Sequence, residues 1–233
     1  MAFVHTKVDL PTLTEKYIDG RRHYCTPEGN MYPSITTVLS LVGREKLQEW
    51  KDKVGEAEAE RYGKMMAKRG SSLHEICEKY LRNDPDYLRG QMPDSAYLFR
   101  QIKPKLDMID EVGVLEQQLY SDRLRVAGRC DVIASFMRQY AIIDFKASNQ
   151  ETEYDHKVEV SIHDNKIKKY FVQCYGYREM YKELTGKKVK WGILMVASMD
   201  HGPRLYIDTL DKYETDFLTI RKQYDIENNI TGA

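Results

Sequence analysis

Apolar residues recur three and four positions apart through the first half of the chain. From Val114 onward they give way to alternating or continuous apolar runs. Trp50, Val54, Ala57, Ala59, Tyr62, Met65 and Met66 contain helical spacings, which predicts helix from Glu45 to about Leu81, broken near Gly70. Past that glycine, Ser71 or Ser72 can cap a helix carrying Leu73, Ile76, Cys77 and Tyr80. A third helix is expected from Ser95 to Glu111, with Leu98, Ile102, Leu106 and Ile109 on one face and Pro104 kinking or interrupting it. Ahead of these, Asp19-Gly20 and Glu28-Gly29-Asn30 read as turns between short strands over 17–33. Ser34 reads as the N-cap of a helix that stops near Gly43. Strands are expected at Val114–Tyr120, Arg125–Phe136, Tyr140–Ala147 and Trp191–Ser198, with an edge strand at Arg204–Thr209. Helices are expected at 168–185 and at Lys212–Tyr224. The order predicts an α/β domain with a mixed sheet and an N-terminal helical elaboration.

The 233 residues contain no apolar run of eighteen, so no transmembrane helix is expected. The first ten residues lack the apolar core of a signal peptide and the basic amphipathic run of a transit peptide. Thirty-six Lys and Arg balance thirty-six Asp and Glu. That neutrality argues against indiscriminate coating of nucleic acid but leaves room for a local basic groove. Residues 157–190 hold nine Lys or Arg against four Asp or Glu, and the stretch from His163 to Phe171 interleaves basic and aromatic residues. Such a segment can hold phosphates and stack bases; the plain alternative is a solvated helix face. Cys25, Cys77, Cys130 and Cys174 lie about fifty residues apart with no C-x-x-C pair, so reduced thiols in a cytoplasmic setting are expected. The same spacing disfavours a zinc or redox protein.

The chemistry concentrates in one hairpin. If Met137 and Arg138 are its two turn residues, Phe136 pairs with Gln139, and Asp131 falls opposite Asp144. Met-Arg is a poor two-residue turn, so another register would keep the strands and change the facing pair. Lys146 is two residues on and shares the face of Asp144. Flanking Val132-Ile133 and Ile142-Ile143 read as buried strand, where a charged triplet needs a reason. A divalent cation held by oxygen ligands, Mg²⁺ or Mn²⁺, would relieve two facing carboxylates. A lysine beside it suits a phosphate. The plain alternative is a solvated strand face with an Asp–Lys ion pair.

These residues resemble the PD-(D/E)XK nuclease superfamily in its RecB-like exonuclease branch, near the phage exonucleases and the mitochondrial genome maintenance exonuclease. Asp131 in Gly128-Arg129-Cys130-Asp131 matches the first acidic position, and Asp144-Phe145-Lys146 the D/E-x-K element. Arg69-Gly70-Ser71-Ser72-Leu73-His74-Glu75 matches the upstream histidine. Glu116 in Leu115-Glu116-Gln117 matches a glutamate on the preceding strand. Gln173-Cys174-Tyr175-Gly176-Tyr177 matches the Q-x-x-x-Y helix, and Tyr32-Pro33-Ser34-Ile35-Thr36 the opening of the phage members. The likeness spans roughly residues 20–210. Cys130 stands where the superfamily name has proline, and the C-terminal cysteine cluster of iron–sulfur members is missing, so no Fe–S cluster is expected.

The resemblance implies a restriction-endonuclease-like core in one nuclease domain over 1–233: a hairpin and helical part to 112, the catalytic sheet and Q-x-x-x-Y helix over 113–210, and a C-terminal helix. It implies a divalent-metal-dependent exonuclease acting on DNA with single-stranded or free ends, in phage or bacterial recombination, repair or degradation. One or two Mg²⁺ or Mn²⁺ ions would be held by Asp131, Asp144, the Phe145 carbonyl, His74 and Glu116, with Lys146 acting on the phosphate. Gln173, Tyr177, Arg129, Arg69, Lys168 and Lys169 are the substrate-binding candidates. Two other readings stay open: an endonuclease of the same fold, and a DNA-binding protein that does not cleave.

Overall fold

The computed structural model describes residues 2–148 and 159–230, with side chains described from Lys166 onward in the second segment. Lys157 and the His163–Asn165 part of the basic stretch lie outside the described side chains. Strands β1 (Val4–His5), β2 (Thr14–Ile18), β3 (Arg21–Cys25) and β4 (Met31–Pro33) precede helices α1 (Ile35–Leu39), α2 (Arg44–Val54), α3 (Glu56–Leu81) and α4 (Pro93–Leu106). Then come β5 (Ile109–Ser121), β6 (Val126–Phe136), β7 (Gln139–Ser148), α5 (Glu159–Thr185), β8 (Trp191–Ser198), β9 (Arg204–Thr209), a 3-10 turn and α6 (Glu214–Glu227). The main sheet runs β1-β5-β6-β7-β8-β9, with β1/β5 and β7/β8 parallel and the other pairs antiparallel. β2, β3 and β4 form a separate small sheet.

Helices cover both faces of the main sheet, as its nearly continuous apolar strands require. On one face Ile35 and Val38 of α1, Cys174 and Tyr175 of α5, and Phe217 of α6 pack on Val126 and Ile142. On the other, Leu73 and Ile76 of α3 and Leu98 and Phe99 of α4 pack on Val132 and Ile143. No described helix is long and apolar enough to cross a membrane. All four cysteines are free, and burial pushes the thiols of Cys77, Cys130 and Cys174 well up.

Two expectations are corrected. Helix α3 runs unbroken through Gly70, and the interruption falls earlier, at Gly55, whose φ of 87° separates α2 from α3. Glu56 and Glu58 in the first turn of α3 and Lys79 in its last suit the helix dipole, so Ser71 and Ser72 cap nothing. The α4 helix ends at Leu106 rather than Glu111. Pro104 removes a helical N–H close to the end, and β-branched Ile109, Val112 and Val114 pair instead with β6. Ser34 does cap α1, accepting the Thr37 N–H at 3.0 Å.

A glycine in α5 lets side chains of α1 and α6 pack directly against its backbone. A Cβ on Gly176 would lie 2.3 Å from Ile35 Cδ1 and 2.8 Å from the Phe217 ring, and both side chains are fully buried. Overpacking there costs about 1–3 kcal/mol. Gly176→Ala is therefore expected to lower the melting temperature by roughly 2–12 °C, at about 2–4 °C per kcal/mol for a chain of this size. A calorimetric scan checks it.

Candidate active site

The β6–β7 hairpin turns on Met137 and Arg138, at φ of 50° and 64°. Both are left-handed, the requirement of a type I′ turn, despite side chains that disfavour it. Contacts hold it: the Arg138 N–H donates to Asp110 Oδ2 at 2.7 Å, and the Met137 N–H to the Met108 carbonyl. The register pairs Phe136 with Gln139 and continues to Val132 with Ile143. The ladder stops at the next position, that of Asp131 and Asp144. Here the Phe145 N–H donates to Asp131 Oδ2 at 2.9 Å, and the Phe145 carbonyl accepts from His74 Nε2 at 2.8 Å. The backbone of one β7 residue is thus held on its N–H side by an aspartate of β6 and on its carbonyl side by a histidine of α3.

A second irregularity brings Glu116 in. Its neighbours pair normally, Leu115 with Val132 and Gln117 with Cys130, but Glu116 has a φ of 50°. Left-handed backbone at a non-glycine costs about 1–3 kcal/mol. It also resets the side-chain alternation. Leu115 and Val132 belong to the core under α3 and α4, whereas Leu119 and Cys130 belong to the core under α5. In a regular strand Leu115 and Leu119 would share a face. The kink leaves Glu116 and Asp131 side by side, beneath α3.

His74 closes the group. Its Nδ1 lies 3.4 Å from Asp131 Oδ1 and 3.8 Å from Glu116 Oε1. The three ligand atoms all lie within 4.8 Å of one another, so His74, Glu116 and Asp131 can hold a metal ion. Because Nε2 donates to a carbonyl, Nδ1 is the atom left for that ion. Burial pulls the His74 pKa down, but the Asp131 charge and hydrogen bonds to Asp131 and Glu116 outweigh it and raise it to about 10. A proton on Nδ1 would lie nearest Asp131 Oδ1, with Glu116 Oε1 farther off. A cavity of about 350 Å³ opens on this cluster, lined by Gly70, Ser71, Glu75, Glu78 and Arg129 as well. Gly70 and Ser71 precede His74 on the same α3 face, and a Cβ at Gly70 would touch nothing within 4 Å, so the helix is bare over the opening.

Asp144 and Lys146 adjoin this cluster but do not belong to it. Lys146 Nζ lies 2.5 Å from Asp144 Oδ2 and 4.7 Å from the centre of the Tyr170 ring. Burial raises the Asp144 pKa most; Lys146 opposes it and Asp131 adds to it, leaving it at about 6. Among the described residues, Asp144 Oδ1 is buried without a hydrogen-bond partner. A buried carboxylate oxygen with no donor is what a cation would satisfy.

The substrate-binding candidates divide. Arg129 is half exposed at the cavity and pairs with Glu116 Oε2 at 2.8 Å. Tyr177 is buried, its hydroxyl donating to the Arg129 carbonyl at 2.7 Å and accepting from Gln173 Nε2 at 3.3 Å. These two brace β6 behind the cluster. Arg69 pairs with Asp94 at 3.2 Å, Lys168 with Asp216 at 2.8 Å, and Lys169 donates to the Val42 carbonyl at 3.1 Å. Lys166 and Tyr170, which the pattern reading passes over singly, line a cavity with Lys146. Their four-residue spacing on one helix face was the signal available. Tyr120 is buried, and Tyr97 and Tyr140 are exposed.

No protein family profile and no curated protein sequence matches the chain. Among solved structures, it is similar to a candidate exonuclease from Eubacterium rectale, at 14% identity and a TM-score of 0.43, over 70% of this chain and 69% of that one. It is also similar to the protein SSO0001, at 13% identity and a TM-score of 0.35, over 78% and 74%. Neither likeness is close enough to carry an activity across.

Proposed function

We propose that this chain is a divalent-metal-dependent deoxyribonuclease, one nuclease domain that hydrolyses DNA from single-stranded or free ends. The observation that carries the reading is the placement of His74, Glu116 and Asp131 around a common point, next to a buried lysine paired with a carboxylate. The donor set fits Mg²⁺ or Mn²⁺: two carboxylates, one imidazole nitrogen, and the partnerless Asp144 Oδ1 nearby. When bound, the ion supplies Lewis acidity to a phosphoryl oxygen and makes water acidic near neutral pH.

The protein's own groups do the rest. Lys146, whose pKa its carboxylate neighbours raise against burial, stays cationic and meets charge growing on the phosphate. Asp144 holds that ammonium in place. The Phe145 backbone N–H and carbonyl fix Asp131 and His74 relative to β7, and Arg129 holds Glu116 while presenting its guanidinium to the cavity. Support for unpaired strands comes from α2 and the first turns of α3, where Trp50 and Tyr62 sit 5.6 Å apart on a stretch whose one buried residue up to 72 is Ala59.

Metal and proton compete for Nδ1 of His74, so binding is expected to release about one proton at pH 7 and to tighten as pH rises toward 8. The imidazole ligand favours Mn²⁺ over Mg²⁺. Titration calorimetry of each ion, in two buffers of different ionisation enthalpy, checks both. The exonuclease reading is tested with labelled linear and circular single strands in Mn²⁺. Loss of linear DNA with circles spared supports it, and cutting of circles moves the assignment to an endonuclease.

A further inference from the structure

Two cavities meet at Lys166, and neither shares a residue with the cavity beside His74. The first lies at the C-terminal ends of β7 and β8, where Lys146, Lys166 and Tyr170 line it. The second, about 620 Å³, opens between the α1–α2 junction, α5 and α6, with Val42, Lys46, Lys166 and Lys169 on its walls. Lys166 and Lys169 are three residues apart on one face of α5.

The charge along this path is poorly compensated. Burial, and then the charge of Lys146, lowers the pKa of both Lys166 and Lys169. Among the described residues no carboxylate pairs with Lys166. Of the two acidic residues on the second cavity, Glu227 is taken by Arg44 at 3.0 Å, leaving Glu45. Lys168, one position from Lys169 but turned toward α6, is neutralised by Asp216. Gathered ammonium groups repel one another, and an anion relieves them. A polyanionic strand with one phosphate at Lys146 offers a second phosphate to the next cation along.

We propose that Lys166 binds a backbone phosphate adjacent to the one at Lys146, so that the strand passes from the first cavity into the cleft between the α1–α2 junction and α5. This rests on the nuclease reading, and it makes Lys166 a positioning residue rather than a catalytic one.

The test is binding of a fluorescent single-stranded 20-mer in EDTA by the full chain and by Lys166→Gln and Lys166→Arg, across a salt series. The glutamine variant is expected to bind roughly tenfold more weakly, the loss of one charged hydrogen bond. Its salt slope should flatten by about 0.7, the contribution of one phosphate contact on a single strand. The arginine variant should restore both. Equal melting temperatures would exclude unfolding as the cause. Unchanged affinity and slope in the glutamine variant would overturn the inference. Cleavage in Mn²⁺ separates this from the parent reading: there the loss should fall in KM more than in kcat. If the wild type binds but cuts nothing, the nuclease reading fails while the Lys166 result stands by itself.

Discussion

Asp131→Asn is expected to abolish both tight divalent-metal binding and DNA cleavage while leaving the fold in place. Asp131 is nine-tenths buried or more and performs two tasks with its two oxygens. Oδ2 accepts the Phe145 N–H, and Oδ1 faces His74 Nδ1. An asparagine can keep the first with its carbonyl oxygen. It cannot supply the second, because its amide would present a donor and no charge. Removing a residue that merely supports a metal ligand costs about 10–100-fold in affinity, and loss of a charged ligand should exceed that. The charge that holds the His74 proton also goes, so His74 no longer titrates near 10. Calorimetric titration with Mn²⁺ and cleavage of a labelled single strand check the two losses together. Near-wild-type metal affinity in the variant would place the ion elsewhere.

Lys146→Ala is the second large effect, and it separates chemistry from metal binding. Lys146 pairs with Asp144 and the Tyr170 ring, and among the described residues no ion pair joins it to Asp131 or Glu116. Its loss is expected to lower kcat by about 100–1,000-fold, the usual cost of removing one preorganised donor to a charged transition state. Metal affinity should stay within a few-fold. The fold should also survive, for a reason visible in Asp144. That carboxyl already titrates at about 6 with the lysine beside it, so without the ammonium it takes up a proton instead of remaining a buried bare charge. Activity at pH 7 in Mn²⁺, read against a metal titration of the same preparation, checks the split.

Much of this arrangement was legible in the residues. The hairpin register followed from placing the turn at Met137-Arg138, although the turn residues themselves argue against a tight turn. They succeed because Asp110 and Met108 hold the turn from outside, a tertiary effect that no local preference encodes. The strands and the αβα layering were readable because β6, β7 and β8 are runs of buried aliphatics. What pattern could not show is the paired break in β5 and β6. Strict alternation puts Leu115 and Leu119 on one face, and only the left-handed backbone at Glu116 separates them. The register points Asp131 at Asp144, but the ladder ends one pair short of them and the two divide: Asp131 joins His74 and Glu116, and Asp144 joins Lys146. Lys168 and Lys166 are chemically alike in sequence, and only the helix rotation on the sheet decides which meets Asp216 and which faces the cavities.

The most direct test of the metal-dependent nuclease is to incubate the wild-type chain with an end-labelled linear single strand in Mn²⁺, in Mg²⁺ and in EDTA. Progressive degradation is expected in both metals, faster at limiting Mn²⁺, and none in EDTA. An intact strand in all three, still retained by the protein in a salt-sensitive way, would contradict it and leave a DNA-binding protein in its place.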